Sequence, residues 1–276
     1  MAADETVTAR RLRRTRTVDR VARTAGVAIA TTALVAMLAP VLLTVLVSFS
    51  GDDFFAFPPE SWGLRQYREL LESPLWGAAL QLSFEVAAAV AALSVAIGVP
   101  AAYAIQRSRL PGRHALYAAG LTGMVIPIAA FAVALYGLLS QLGLRGTFVG
   151  LVLANATLAV PVVLIVITAA LSRVPPTLEL VAMTAGASRL RASLGITVRL
   201  LAPAIVASTG LAFVTSFEEA VLVNFVGGVE QTTLPRAILD SARFGTSPVI
   251  TAIATLMMAG IGLVAIGSVR LLGRRR

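Results

Sequence analysis

A chain of 276 residues that is 57% hydrophobic and only 13% charged has too little polar surface to cover itself in water, and its apolar runs reach the roughly 20 residues needed to cross hydrocarbon. With a mean hydropathy of +0.85, it reads as an all-α integral membrane protein. The lack of cysteine excludes disulfides, thiolate metal sites and thiol nucleophiles, and the formal charge of +9 is carried by arginines set beside the apolar runs, so it is no footprint of nucleic-acid binding.

Six apolar blocks, at 24–49, 76–105, 115–140, 147–171, 200–226 and 247–271, predict six transmembrane helices within a membrane domain spanning 24–271. An Arg-rich segment, 1–23, precedes them, and its RRLRRTR run at 10–16 is too charged to enter hydrocarbon. The first block is read as an anchor rather than a cleaved signal peptide, because its apolar run is long and no small-x-small site follows it cleanly. With the head in the cytoplasm, loops 106–114 and 172–199 and the tail 272–276 fall on the same side. Only Arg65, Arg68, Arg145, Arg236 and Arg243 are then left outside. The positive-inside rule favours this orientation, with both termini cytoplasmic and the protein multi-pass.

The external segment 50–75 is polar. Asp52 and Asp53 open a turn, Pro58-Pro59 stiffens it, and RQYRELLE at 65–72 predicts a short amphipathic helix with Tyr67 and Leu71 on one face. Trp62 and Trp76 read as markers of the membrane surface.

The internal segment 172–199 is far longer than a turn requires. Pro175-Pro176 ends the preceding span, Thr177 can cap a new helix, and 177–186 predicts a short helix with Leu178, Val181, Ala182 and Ala185 on one apolar face. Gly186 permits a tight reversal into a second short helix over 187–199, where Leu190, Leu194 and Val198 recur at spacing four. The second helix is expected to pack on its own bundle. The small residues of the first leave a flat knob suited to a partner.

This loop resembles the signature loop of binding-protein-dependent ABC importer permeases, which runs Glu-Ala-Ala, three residues, Gly, nine residues, Ile, one residue, Leu-Pro. Gly186 stands at the Gly place, Ala182 at the second Ala and Ile196 at the Ile, with Leu178-Glu179 and Ala202-Pro203 flanking. Leu180 replaces the motif Glu, Val181 the first Ala, Val198 the Leu and Arg199 the Pro. Glu179 is adjacent, yet a one-residue shift turns a helical side chain by about 100°. The GLRGTFVGLVLANATLAVP stretch, FVTSFEEAVLVNFVGG at 213–228 and TTLPRAILDSARFGTSPVITAIATL at 232–256 are similar to the spermidine/putrescine branch. The resemblance implies a type I importer permease fold and a polyamine or related small organic cation as solute. It also implies a second permease subunit, homologous or identical, two cytoplasmic ATP-binding subunits and an extracytoplasmic solute-binding protein. Coupling to the ATPase falls on Glu179, Leu180, Val181, Ala182, Ala185, Gly186 and Ala187.

The chain holds no GxxxxGK[ST] phosphate loop, so no catalytic residue or cofactor is expected and nucleotide hydrolysis is assigned to other chains. The lone His114 has no acidic or second His neighbour, and no metal site is expected. Candidate pathway residues are Glu218, Glu219 and Asn155, because a carboxylate at membrane depth must face water, a partner or a proton. The two glutamates point about 100° apart, so one at most looks straight into a pore. The competing role is a structural hydrogen bond to Ser216, Thr215 or the partner subunit. Asn155 reads rather as satisfying a neighbouring helix or backbone, and Glu85 reads as structural. Pro127, Pro161 and Pro203 can bend their helices, while Gly260, Gly262 and Gly267 permit close packing of the last span. Alternatives are a permease for another small solute, an ion-coupled secondary transporter and a membrane scaffold. Against the second stands the absence of recognisable inverted repeats.

Overall fold

Helices make up the regular structure of the computed structural model, which describes residues 2–108, 111–229, 231–244 and 247–260. The chain divides into two units, residues 1–72 with 246–276, and residues 73–245. In the first unit α1 runs Ala2–Ser48, so the Arg-rich head continues the first span as a helix instead of standing apart from it. The stretch Arg23–Ser48 has a mean hydropathy of 2.3, and none of its most apolar part is fully buried. Polar side chains there bond to their own helix: Thr31 Oγ1 donates to the Val27 carbonyl at 2.8 Å and Thr44 Oγ1 to Pro40 at 2.9 Å. That is the arrangement required where no water can serve a hydroxyl.

The polar turn after α1 is built around Asp52. Its carboxylate accepts from the amides of Glu60 (2.9 Å) and Ser61 (3.0 Å) and from the Ser61 hydroxyl (2.6 Å). An isolated bridge pairs Ser50 with Trp62. The predicted helix at 65–72 is present as α2, Arg65–Glu72, but its inward face differs from expectation. Gln66 is the buried residue, donating to the carbonyls of Ser50 (3.2 Å) and Asp52 (2.9 Å), while Tyr67 meets Ser48 at 2.7 Å and packs on Phe49. Leu71 is 85% exposed, because the amide of Gln66 and its row, not an apolar stripe, sets the rotation of the helix.

In the second unit α3 spans Pro74–Arg107 and buries mostly small residues at helical spacing: Ala79, Ser83, Ala87, Ala91, Ser94, Gly98 and Ala102. Small residues let helix backbones close in where hydrocarbon offers no hydrophobic drive to associate. A Cβ on Gly98 would stand 2.7 Å from Val163 Cγ1, which measures how closely α3 approaches α7 (Phe148–Leu171). Trp76 lies within α3 and is only 6% exposed, so it is a packed side chain and not the surface marker expected of it; Trp62 is 62% exposed.

The third predicted span, 115–140, is divided. Helix α4 covers Arg113–Gly120, α5 Thr122–Val125 and α6 Ile128–Gln141, with Ile126 extended at ψ 135. Pro127 is the cause, since its ring excludes the helical region for the residue before it. Thr147 then caps α7, its hydroxyl accepting from the Gly150 amide at 3.0 Å.

Two short elements come next, α8 over Thr177–Thr184 and α9 over Arg189–Ala192, the latter continuing through a π turn, Ser193–Val198, into α10, Arg199–Phe217. The expected separate helix at 187–199 is therefore the beginning of one run, Arg189–Phe217, because no Gly or Pro interrupts the turn between Arg199 and Ala202. The expected fifth span, 200–226, is cut after Phe217, and α11 (Val221–Val226) and α12 (Leu234–Phe244) succeed it. The final block, 247–271, is helical over Val249–Gly260 as α13; the remainder, with Gly262, Gly267 and the tail 272–276, lies outside the described residues.

Helix α13 belongs to the first unit; the core of the second, residues 73–245, lies among α3, α7 and α10, with Val90, Leu151, Val163 and Ile167 fully enclosed. Phe84 of α3 meets Phe213 and Phe217 of α10 with ring centroids 5.8 and 5.1 Å apart. Among the described residues, four helices are long and apolar enough to cross a membrane: Arg23–Ser48, Pro74–Arg107, Phe148–Leu171 and Arg189–Phe217.

Candidate functional site

Helix α8 starts after Pro175-Pro176, with Pro176 at the cap position and Thr177 as the first helical residue; no side chain caps it, contrary to the role expected of Thr177. Its far end is closed by backbone. The Ala187 amide donates to Ala182 at 3.0 Å and the Gly186 amide to Met183 at 3.0 Å, with Gly186 at φ +92. These paired bonds form a Schellman motif, whose left-handed position is free of strain only for glycine. The Ser188 hydroxyl accepts from the Arg191 amide at 3.3 Å and starts α9, so the reversal is fixed on both sides.

The two faces of α8 differ in chemistry. Leu180 is 59% and Val181 67% exposed, with Ala185 and Gly186 exposed beside them and Ala182 and Ala187 half-buried. On the opposite face Glu179 is 8% exposed. Its Oε2 accepts from the Tyr103 hydroxyl of α3 at 2.7 Å, and its Oε1 accepts from the Thr197 hydroxyl of the π turn. Arg107, at the end of α3, donates to the Val174 carbonyl at 2.6 Å and secures the chain entering the loop. The residue in the motif's acidic place thus presents an aliphatic side chain outward, while the neighbouring carboxylate is turned into the protein.

The candidate pathway residues are not brought together with α8. Glu218 ends α10 and is exposed. Glu219 is buried, and its Oε1 accepts from the Leu222 amide at 2.8 Å, which starts α11. The carboxylate thus takes an otherwise unpaired amide of the first turn of α11, one residue ahead of its cap position Ala220, where the apolar run breaks. Neither Ser216 nor Thr215 is its partner; the Ser216 hydroxyl has no hydrogen bond among the described residues. Asn155 is fully enclosed in α7, donating to the Leu151 carbonyl at 2.9 Å, with its Oδ1 unpaired among the described residues. Glu85, by contrast, is exposed and accepts from Gln81 at 2.8 Å, in a cleft of about 390 Å³ lined also by Leu75, Gln231 and Thr232.

Tyr103 and Thr197 are the functional candidates that sequence reasoning passed over. Both are hydroxyls in apolar helical runs, one half-buried and one buried, and the usable signal was the need for a buried carboxylate to be satisfied by such donors.

Among the described residues the chain is helical, with several membrane-length spans and a short helix with an exposed aliphatic face between two of them, the architecture of a multi-pass membrane protein. Its fold matches that of a solved bacterial ABC transporter involved in the import of the acidic polysaccharide alginate, with a TM-score of 0.70 at 15% identity, covering 91% of this chain and 96% of that one. The chain belongs to the family of binding-protein-dependent transport system inner membrane components, which residues 94–276 match. Among relatives, it is 30% identical over 236 residues to the putrescine transport system permease protein PotI of Escherichia coli K12, covering 83% of each chain. It is 29% identical to the spermidine/putrescine transport system permease protein PotC of Haemophilus influenzae, covering 79% of this chain and 85% of the relative. It is therefore a multi-pass inner-membrane permease of this transport class.

Proposed function

We propose that the chain is the membrane permease of an ATP-driven importer of polyamines or related small organic cations, and that α8 is the helix on which a cytoplasmic ATP-binding subunit seats. In this reading six spans cross the membrane with both termini cytoplasmic. A second permease subunit completes the pathway, two ATP-binding subunits hydrolyse nucleotide, and an extracytoplasmic binding protein delivers the solute. The observation that carries the docking role is the exposed pair Leu180 and Val181 on a helix closed by Gly186. With Leu180 where an acid is usual, the contact rests on apolar packing. The similarity to putrescine and spermidine permeases supports the solute class. The exposed carboxylate of Glu218 and the cleft at Glu85 are suited to a cation on its way through.

A photocrosslinker at Ala182 should capture an ATP-binding subunit in the assembled complex; capture of lipid or the chain's own helices alone sinks the docking role. Nothing lies within 4 Å of a Cβ added at Gly186, so Gly186→Leu acts only through the left-handed backbone, costing about 1–2 kcal/mol. It should leave membrane insertion intact while uptake per ATP falls. For the solute, binding of putrescine and spermidine by the cognate soluble binding protein is the direct measurement. A protein that binds a sugar or an anion and ignores both amines overturns the polyamine assignment and leaves the permease role standing.

A further inference from the structure

Glu179 is a buried carboxylate on a short surface helix, and no ion pair reaches it among the described residues. What reaches it instead is one hydroxyl from each of two membrane-length helical runs: Tyr103 near the end of α3, and Thr197 in the π turn that leads into α10. Hydrogen bonds from hydroxyl to ionised carboxylate are short and roughly twice as strong as neutral ones. Both ends of α8, in contrast, are backbone turns, Pro175-Pro176 on one side and Gly186 on the other, with open space around Gly186. In the first turn of α8, Glu179 thus joins the helix to both spans through one carboxylate.

The π turn is part of this arrangement. Thr197 is the buried residue of Ser193–Val198. A π turn carries an extra residue and so rotates the residues beyond it by about 100° relative to a regular helix. Such turns persist where a side chain must be re-aimed, and the side chain aimed here is the donor to Glu179.

We propose that Glu179 is a positioning residue for energy coupling, a latch that ties α8 to α3 and α10 so that a displacement of α8 by its partner moves both spans together. This rests on the reading of α8 as the seat of the ATP-binding subunit and adds the route by which its movement enters the membrane. The carboxylate acts through Tyr103 and Thr197 and touches neither solute nor nucleotide.

The test uses the complete transporter, this chain with its natural partner subunits and binding protein, in proteoliposomes, reading solute moved per ATP hydrolysed alongside complex yield and the Ala182 crosslink. Tyr103→Phe and Thr197→Val each delete one hydroxyl with little change of shape. Glu179→Gln keeps the side-chain volume and can still accept one of the two bonds, whereas Glu179→Ala keeps neither. The expected order of solute per ATP is wild type, then the three milder variants, then Glu179→Ala, the last lowered roughly tenfold. ATP hydrolysis and the Ala182 crosslink persist throughout. A purely structural residue would lower yield and thermal stability while each assembled complex kept the wild-type ratio, and that result overturns the proposal. If Glu179→Ala fails to assemble, the Tyr103→Phe and Thr197→Val complexes decide the matter by the same ratio. Loss of the Ala182 crosslink from the wild-type complex would instead remove the docking role on which the latch depends, an outcome separable from a failed latch on an intact docking site.

Discussion

The Arg23–Ser48 part of α1 and helix α7 are almost equally apolar, with mean hydropathies of 2.3 and 2.5, yet none of the apolar stretch of α1 is fully buried while 61% of that of α7 is. Hydropathy says that a segment prefers hydrocarbon to water; it does not say whether lipid or protein surrounds it. The difference lies in what each helix offers a neighbour. Buried positions of α7 include Gly150, Ala154, Asn155, Ala156 and Ala159, with Val163 against a Gly of α3. The exposed face of α1 carries Leu34, Met37, Leu38 and Leu42, and its order at the far end comes from polar contacts around Asp52 and Gln66. One region is held by close approach of backbones, the other by hydrogen bonds where its chain leaves the apolar stretch.

The largest effect that separates them should come from glycine. Gly98→Leu drives a side chain into Val163 at a contact already at its limit, and overpacking of this kind costs about 1–3 kcal/mol or more. The folded protein should be poorly recovered in detergent. Gly26→Leu in α1, with nothing within 4 Å of its Cβ, should leave yield and thermal midpoint as they are. Equal damage at both sites would mean that α1 is packed as tightly as α3 and α7, and the contrast would fail.

A smaller effect is expected from truncation. Ile167→Ala opens a cavity in a fully enclosed place, and the loss should be about 1–3 kcal/mol, below that of a water-soluble core because an unassembled helix stays in lipid and only packing is forfeited. Leu34→Ala, on an exposed position of α1, should cost close to nothing by the same thermal assay.

How far the sequence reveals this division depends on the kind of interaction. Helix α7 is legible as the apolar run at 147–171, whereas its cap at Thr147 goes unread because one hydroxyl leaves no mark on hydropathy. The breaks at Pro127 and at Glu218-Glu219 lie inside runs whose hydropathy is continuous, and each is made by a single local event: a proline excluding the helix before it, and a carboxylate taking a backbone amide. The position of α8 and the turn at Gly186 could be read from spacing. The inward aim of Glu179 could not, since it depends on Tyr103, 76 residues away, and on the register imposed by a π turn. Trp76 and Leu71 depart from expectation for a related reason: residue type alone says that a side chain is large and apolar, and rotation about the helix axis decides where it goes.

The smallest effect concerns the turn after α1 and depends on pH. Hydrogen bonds from the Ser61 hydroxyl, then the Glu60 amide, with lesser ones from Ser50 and Ser61, hold the Asp52 carboxyl below its ordinary range, against a small opposing cost of desolvation. A carboxylate whose folded pKa is depressed stabilises its surroundings above the unfolded value, and that contribution disappears as pH falls through the folded one. The turn should therefore be fully ordered at neutral pH and loosen only in acid, below roughly pH 4. Because Trp62 is bridged to Ser50 inside this turn, its fluorescence reports the change, and Trp76→Phe removes the other tryptophan. In that background Asp52→Asn should abolish the acid transition at Trp62, while the thermal midpoint of the α3–α7–α10 core stays level across the same range. An acid transition that survives Asp52→Asn would show that some other group orders the turn, and the polar side of the contrast would have to be rebuilt on Gln66 and Tyr67.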